Sequence, residues 1–180
     1  MIFTETKLKG AFIIELEIKE DDRGFFSRTF CEKEFQLHGL NPHLAQINKV
    51  SNLKKGTLRG MHFQRPPHQE DKIVNCTQGA IFDAIIDLRK NSATYRQFFG
   101  IELTANNNKM LYSPKDFAHG YVTLEDNTSI TYLMSQCHAP EFAGGIRFDD
   151  PSFKIKWPSQ VEIKVIHEKD RNWPDFRHNF

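Results

Sequence analysis

Long apolar runs are missing from this 180-residue chain, and so are paired cysteines, signs of repetition and any excess of one charge. No stretch approaches the roughly 20 apolar residues that a bilayer-spanning helix needs. The N-terminal MIFTETKLKGAF has no apolar segment of the secretory kind. A membrane association is therefore not expected. The three cysteines, Cys31, Cys76 and Cys137, are odd in number, widely spaced and free of any CxxC pair. That argues against a structural zinc site or a disulfide framework and for a reducing, cytoplasmic setting. Lys and Arg number 24 against 23 Asp and Glu, a net charge of +1. A surface built to coat nucleic acid is thus not expected, whereas a small anionic ligand needs only a few local cations. No linker or low-complexity tract interrupts the chain, and a single domain over residues 1–180 is expected.

What is abundant is alternation. GAFIIELEIKE reads as a first strand with Ile14, Leu16 and Ile18 on one face. KIVNCTQGAIFDAIIDLRK reads as two strands joined near Gln78-Gly79. FFGIELTANNNKMLYSP and HGYVTLEDNTSITYLMS read as hairpins turning at 106–108 and 125–127, where Asn tolerates left-handed backbone. Short strands punctuated by turns, with 16 Phe to fill an interior, suggest an all-β sandwich, barrel or jelly roll. Helix is expected only over EKEFQLHG (32–39), ended by Gly39, and in HEKDRNWPDF before Pro174.

The stretch GTLRGMHFQRPPHQEDKIV (56–74) carries the densest chemistry. Arg59 suits a phosphate, His62 an acid–base role, and Lys72 precedes an apolar strand, with Pro66-Pro67 stiffening the loop between. Taken singly, each has a bland reading: a structural histidine, a surface ion pair, a solvated strand edge. His119 starts a later strand. Asp83 and Asp87 share a strand face, and an Asp inside an apolar run needs a partner, either a histidine or backbone at a bend. Tyr132 is a strand tyrosine, ordinarily a packing residue but able to donate or accept a proton near a bound carbonyl. The His-x-His of metal-binding β-barrels is absent, and two prolines separate His62 from His68. A metal-free acid–base site is the expectation.

Taken in order, DDRGFF, QINKVSNLKKGTLRGMHFQRPP, KIVNCTQGAIFDAIIDLRKNSATY, PKDFAHGYVTLEDN, FDDPSFKIKWP and EKD resemble the dTDP-4-dehydrorhamnose 3,5-epimerase family from about residue 10 to 175. The resemblance implies an all-β, cupin-type double-stranded β-helix (jelly roll) with short peripheral helices. It also implies a homodimer, no metal or redox cofactor, and a nucleoside-diphosphate-linked 4-keto sugar as partner. Carried over residue by residue, it makes His62 of RGMH the base and Asp170 its supporting carboxylate. Lys72 becomes the enolate stabiliser and Tyr132 the acid, while His119 and Asp83 also match family positions. Arg23, Gln46, Asn48 and Arg59 match positions that contact the nucleotide.

Three departures stand at the nucleotide end. Arg28 in RGFFSRTF replaces a family Glu, and His138 in QCHAPEFAG replaces a tyrosine that stacks on thymine. Ala143 replaces a second Glu. The departures open the alternatives of a C3- or C5-only epimerase acting on a CDP- or GDP-linked 4-keto sugar. A 3,4-ketoisomerase and a non-catalytic sugar-binding jelly roll are further readings.

Overall fold

A computed structural model of the chain describes residues 1–177. Its first half contains β1 (Ile2–Glu5), β2 (Phe12–Glu15), β3 (Lys19–Asp21), β4 (Gly24–Phe26), α1 (Glu32–Leu37), β5 (Gln46–Asn52), β6 (Thr57–Gln64), β7 (Lys72–Gln78) and β8 (Ala80–Asp87). There follow β9 (Phe98–Thr104), β10 (Lys109–Ser113), β11 (Phe117–Thr123), β12 (Thr128–Met134), β13 (Ala143–Gly145), β14 (Val165–Ile166) and α2 (Glu168–Arg171).

Two sheets face each other. The first has the order β1-β2-β10-β7-β12-β5 and the second β13-β6-β11-β8-β9, with β14 added alongside β6. Strands β3 and β4 form a small separate hairpin. Between the sheets, inward residues such as Val74, Leu111 and Ile130 from one side meet Ile81, Ile85 and Leu103 from the other. This is the alternating burial expected of a two-layer β fold. The outer faces are covered as well. Phe35 of α1 packs on Ile14, Met110 and Tyr112, and Phe153 and Ile146 pack with Met61, Phe63 and Ile86.

The expected strands form, but two expected pairings do not. β9 pairs with β8 and β10 with β2 and β7, so the turn at 105–108 crosses from one sheet to the other. The turn between β11 and β12 does the same. Asn108 and Asn127 have positive φ at these turns. Local alternation and turn residues are the same for a hairpin and for a corner between sheets, so sequence pattern alone does not separate them. The first strand also stops at Glu15 rather than running on to Ile18.

One irregularity positions the site. Along the β6–β11 ladder His62 pairs with His119 and Arg59 with Tyr121, so two residues of β6, Gly60 and Met61, stand opposite one of β11, Gly120. This is a β-bulge, and it brings Arg59 and His62 to the same inner face although they are three apart. Gly60 carries it with φ +121°, and a Cβ there would stand 2.5 Å from the Cα of Gly120. Gly60→Ala is expected to lower stability by at least about 1–3 kcal/mol, read as a lower urea midpoint. An unchanged midpoint would remove this account of the bulge.

The interior also encloses a hydrogen-bonded pair, His119 Nε2 to Asp83 Oδ1 at 2.6 Å, with both side chains buried. Burial pushes the His119 imidazole below its ordinary 6.5; Asp83 pulls it back up, and Lys72 and His62 push it down again. The folded state thus resists a proton that the unfolded chain accepts. Stability contributed by neutral His119 is full above about pH 6.5 and falls as pH drops towards the lowered folded value. The slope for one proton is at most about 1.4 kcal/mol per pH unit. His119→Gln is expected to flatten the stability profile between about pH 6.5 and 5, measured by urea unfolding across pH. A slope equal to wild type would contradict the assignment.

Candidate active site

Two facing walls build the site. On the first sheet, Met134 pairs with Gln46 on one side and Lys72 on the other, and Tyr132 pairs with Asn48 and Val74. Val74 belongs to the core between the sheets and Tyr132 packs against it, so this row points inward. On the second sheet the bulge brings His62 and Arg59 inward. A cavity of about 260 Å³ separates the walls, lined among others by Asn48, His62, Lys72, Tyr132 and Met134.

His62 is held by the C-terminal segment. Strand β14 lies parallel to β6, with Val165 beside Thr57 and Ile166 beside Leu58. The chain then turns into α2, whose first turn is capped by the His167 ring accepting from the Lys169 N–H at 3.1 Å. Asp170 lands against β6, with Oδ1 2.7 Å from His62 Nε2 and Oδ2 accepting from the Gly60 N–H at 3.2 Å. Burial opposes its ionisation. The bond and charge of His62 and the Gly60 N–H outweigh that and hold the carboxyl below its usual 3.8. An anionic Asp170 fixes the Nε2–H tautomer of His62, which leaves the Nδ1 lone pair free. The His62 side chain is 47 % exposed, open to a ligand.

Across from it stand an acid and a cation. Burial, the largest influence, raises the Tyr132 phenol well above its ordinary 10, helped by Tyr121 and the charge of Asp83. Tyr132 therefore keeps its proton at neutral pH and can donate it. Lys72 Nζ lies 5.8 Å from the Tyr132 ring centroid and 3.1 Å from Glu70 Oε1. An ammonium has three N–H donors, so this one contact leaves capacity for a ligand oxygen. His119 also meets the Tyr132 ring edge-on, with centroids 5.8 Å apart.

Arg59 is anchored at one end only. Its Nε donates to Asn52 Oδ1 at 2.9 Å, and Tyr121 donates to the same oxygen at 3.1 Å. The guanidinium thus sits beside the two tyrosines. Gln46 accepts from the His138 N–H at 3.0 Å, which places the 135–143 loop along the cavity mouth, and His138 and Ala143 both line it.

His62, Lys72, Tyr132, Asp170, Arg59, Asn48, Gln46, His119, Asp83 and His138 thus gather at one end of the barrel. Arg23 and Arg28 do not join them. Arg23 is 89 % exposed on the β3–β4 hairpin and bonds to Asp21, and Arg28 pairs with Glu34 of α1 at 2.8 Å. Neither lines the His62 cavity. Asp83 finds a histidine rather than a backbone bend. Glu70, Trp173 and Lys169 line the cavity without having been singled out from sequence. Glu70 is hidden in a charged loop, and Trp173 counts only because the tail folds back so that its ring lies over Gly145, where a Cβ would be 2.0 Å from it. Among the described residues, no three His, Cys, Asp or Glu side chains gather as a metal site.

The chain is similar to known proteins over nearly its whole length. The family profile described as dTDP-4-dehydrorhamnose 3,5-epimerase matches residues 5–178. A dTDP-4-dehydrorhamnose 3,5-epimerase of Methanothermobacter thermautotrophicus is 43 % identical over 178 residues, covering 98 % of this chain and 95 % of its own. The crystal structure of the Elizabethkingia anophelis enzyme of that name superposes with a TM-score of 0.92 at 37 % identity, over 98 % and 96 % of the two chains. A Legionella pneumophila dTDP-6-deoxy-D-glucose-3,5-epimerase, solved with dTDP-4-keto-L-rhamnose, gives 0.87 at 32 % identity, over 94 % and 89 %. With its fold and nearly its whole length matched, the chain belongs to the dTDP-4-dehydrorhamnose 3,5-epimerase family.

Proposed function

We propose that the protein, a single jelly-roll domain, epimerises a nucleoside-diphosphate-linked 4-keto-6-deoxy sugar beside its ketone, with dTDP as the nucleotide. The observation that carries this is the pairing of walls: the His62–Asp170 dyad on one and protonated Tyr132 with Lys72 on the other. A ketone at C4 acidifies the C–H bonds at C3 and C5. His62 Nδ1 removes one of these protons, and the electron pair moves onto the C4 oxygen as an enolate. Lys72 stabilises that oxyanion, and Asp170 stabilises the imidazolium. Tyr132 returns a proton to the carbon from the opposite face, which inverts the centre. A binding module needs no such opposed base and acid. Arg59 is suited to the diphosphate through its free guanidinium N–H groups.

The departures from the family pattern weigh less in three dimensions. Arg28 is neutralised by Glu34, so its positive charge is not presented to the cavity. His138 keeps a flat ring at the cavity mouth, where a base can stack. Exposed Phe25 and Phe26 (63 % and 64 %) on the Arg23 hairpin, and exposed Ile47 on edge strand β5, support a homodimer. In it, the hairpin reaches the neighbouring subunit's nucleotide. Free cysteines and the absence, among described residues, of any helix long and apolar enough to cross a membrane fit a cytoplasmic enzyme.

In deuterated water, His62→Ala is expected to abolish deuterium incorporation at C3 and C5 of the sugar. Tyr132→Phe is expected to retain exchange on the His62 face while inversion slows about 10²–10⁴-fold. NMR of the sugar reads both, and normal exchange by His62→Ala would end the base assignment. Turnover of dTDP-, CDP- and GDP-linked 4-keto sugars side by side is expected to favour dTDP. A CDP or GDP preference would instead make His138 and Ala143 the determinants of a different base.

A further inference from the structure

Glu70 brings an unpartnered buried oxygen to the cavity lining. Its side chain is 8 % exposed, Oε1 lies 3.1 Å from Lys72 Nζ, and Oε2 has no hydrogen-bond partner among the described residues. Buried polar atoms are normally satisfied, and an exception calls for an explanation. A wandering loop does not supply one. The next residue, Asp71, is fastened from every side: Oδ2 accepts from Asn41 at 2.7 Å and from the Ser135 hydroxyl at 3.2 Å, and Oδ1 accepts from the Lys115 N–H at 3.0 Å. Its backbone N–H donates to Ser135 Oγ at 2.7 Å. The backbone that carries Glu70 is therefore rigid, and Glu70 lines the cavity together with His62, Lys72 and Tyr132.

We propose that Glu70 is a specificity-determining residue that accepts a hydrogen bond from a donor on the carbon next to the substrate ketone, the C3 hydroxyl of the sugar. This rests on the ketone reading above, in which Lys72 holds the C4 oxygen. Oxygens on adjacent ring carbons sit about one hydrogen-bond length apart, as do Nζ of Lys72 and Oε1 of Glu70. A ligand oxygen on Nζ thus brings its neighbour to the carboxylate. Of the two carbons flanking C4, only C3 carries a hydroxyl; C5 bears the methyl group and the ring oxygen. An ionised carboxylate is an acceptor only. The site therefore selects a hydroxyl or ammonium at C3 and rejects a C3 carbonyl, whose lone pairs would face the carboxylate.

The test compares a dTDP-linked 4-keto-6-deoxyhexose with its 3-deoxy counterpart, reading deuterium incorporation beside the ketone as kcat/KM for each. Exchange is read at C5, whose C–H bond beside the ketone is the same in both sugars, so the ratio isolates the hydroxyl. Wild type is expected to favour the hydroxyl-bearing sugar about 10- to 100-fold, the range of a hydrogen bond to a charged group. Glu70→Met is expected to bring the ratio close to one. Damage transmitted through Lys72 slows both sugars equally and divides out. Glu70→Gln, which keeps an uncharged acceptor oxygen, is expected to fall between. An unchanged ratio in Glu70→Met, or a wild-type protein that does not discriminate, would overturn this inference alone. Absence of exchange with either sugar in wild type would overturn the ketone reading and this inference with it.

Discussion

The extra residue that β6 carries against β11 is the constraint on which the site depends. In a regular strand, residues three apart point to opposite faces. The bulge at Gly60 turns Arg59 and His62 the same way, and the close approach of Gly60 to Gly120 leaves no room for a side chain. The bulge also presents the Gly60 N–H to Asp170, the carboxylate that orients His62. One local break in the ladder therefore serves the base, the nearby cation and the docking of the tail.

The proton inventory follows from which wall each group stands on and what surrounds it. Asp170 is kept ionised by His62 and the Gly60 N–H against its burial. Tyr132 is kept protonated by burial among aromatic rings and the charge of Asp83. Acceptor and donor are thereby ready on opposite sides of the same cavity before any ligand arrives. Buried His119 is held neutral against Asp83, which braces the second sheet beneath Tyr132 without adding a second base.

Much of this was legible in the chain, for identifiable reasons. Strand positions follow from alternation, α1 ends beside Gly39 as its left-handed backbone requires, and Asp83 in AIFDAIID demanded a partner that proved to be His119. What was not legible depends on contacts distant in sequence. The turns at 105–108 and 124–127 cross between sheets, and nothing local distinguishes such a corner from a hairpin. Arg23 and Arg28 fall outside the cavity because Arg23 sits exposed on a separate hairpin beside Asp21 and Arg28 pairs with Glu34 of α1. Glu70 stood in a run of charged residues that reads as solvated, and only the surrounding pairs reveal it as buried.

The crossing turns bear on how the chain reaches this state. Several strands that neighbour in sequence are parted between sheets and pair with distant ones: β6 with β11, β7 with β12, and Gly60 meets Asp170 110 residues away. Contact order of this kind makes folding slow and cooperative, because loop entropy is spent before pairing returns it. Half-paired strand edges exposed along such a route are sticky surfaces, so partly folded chains of this topology favour association with one another at high concentration.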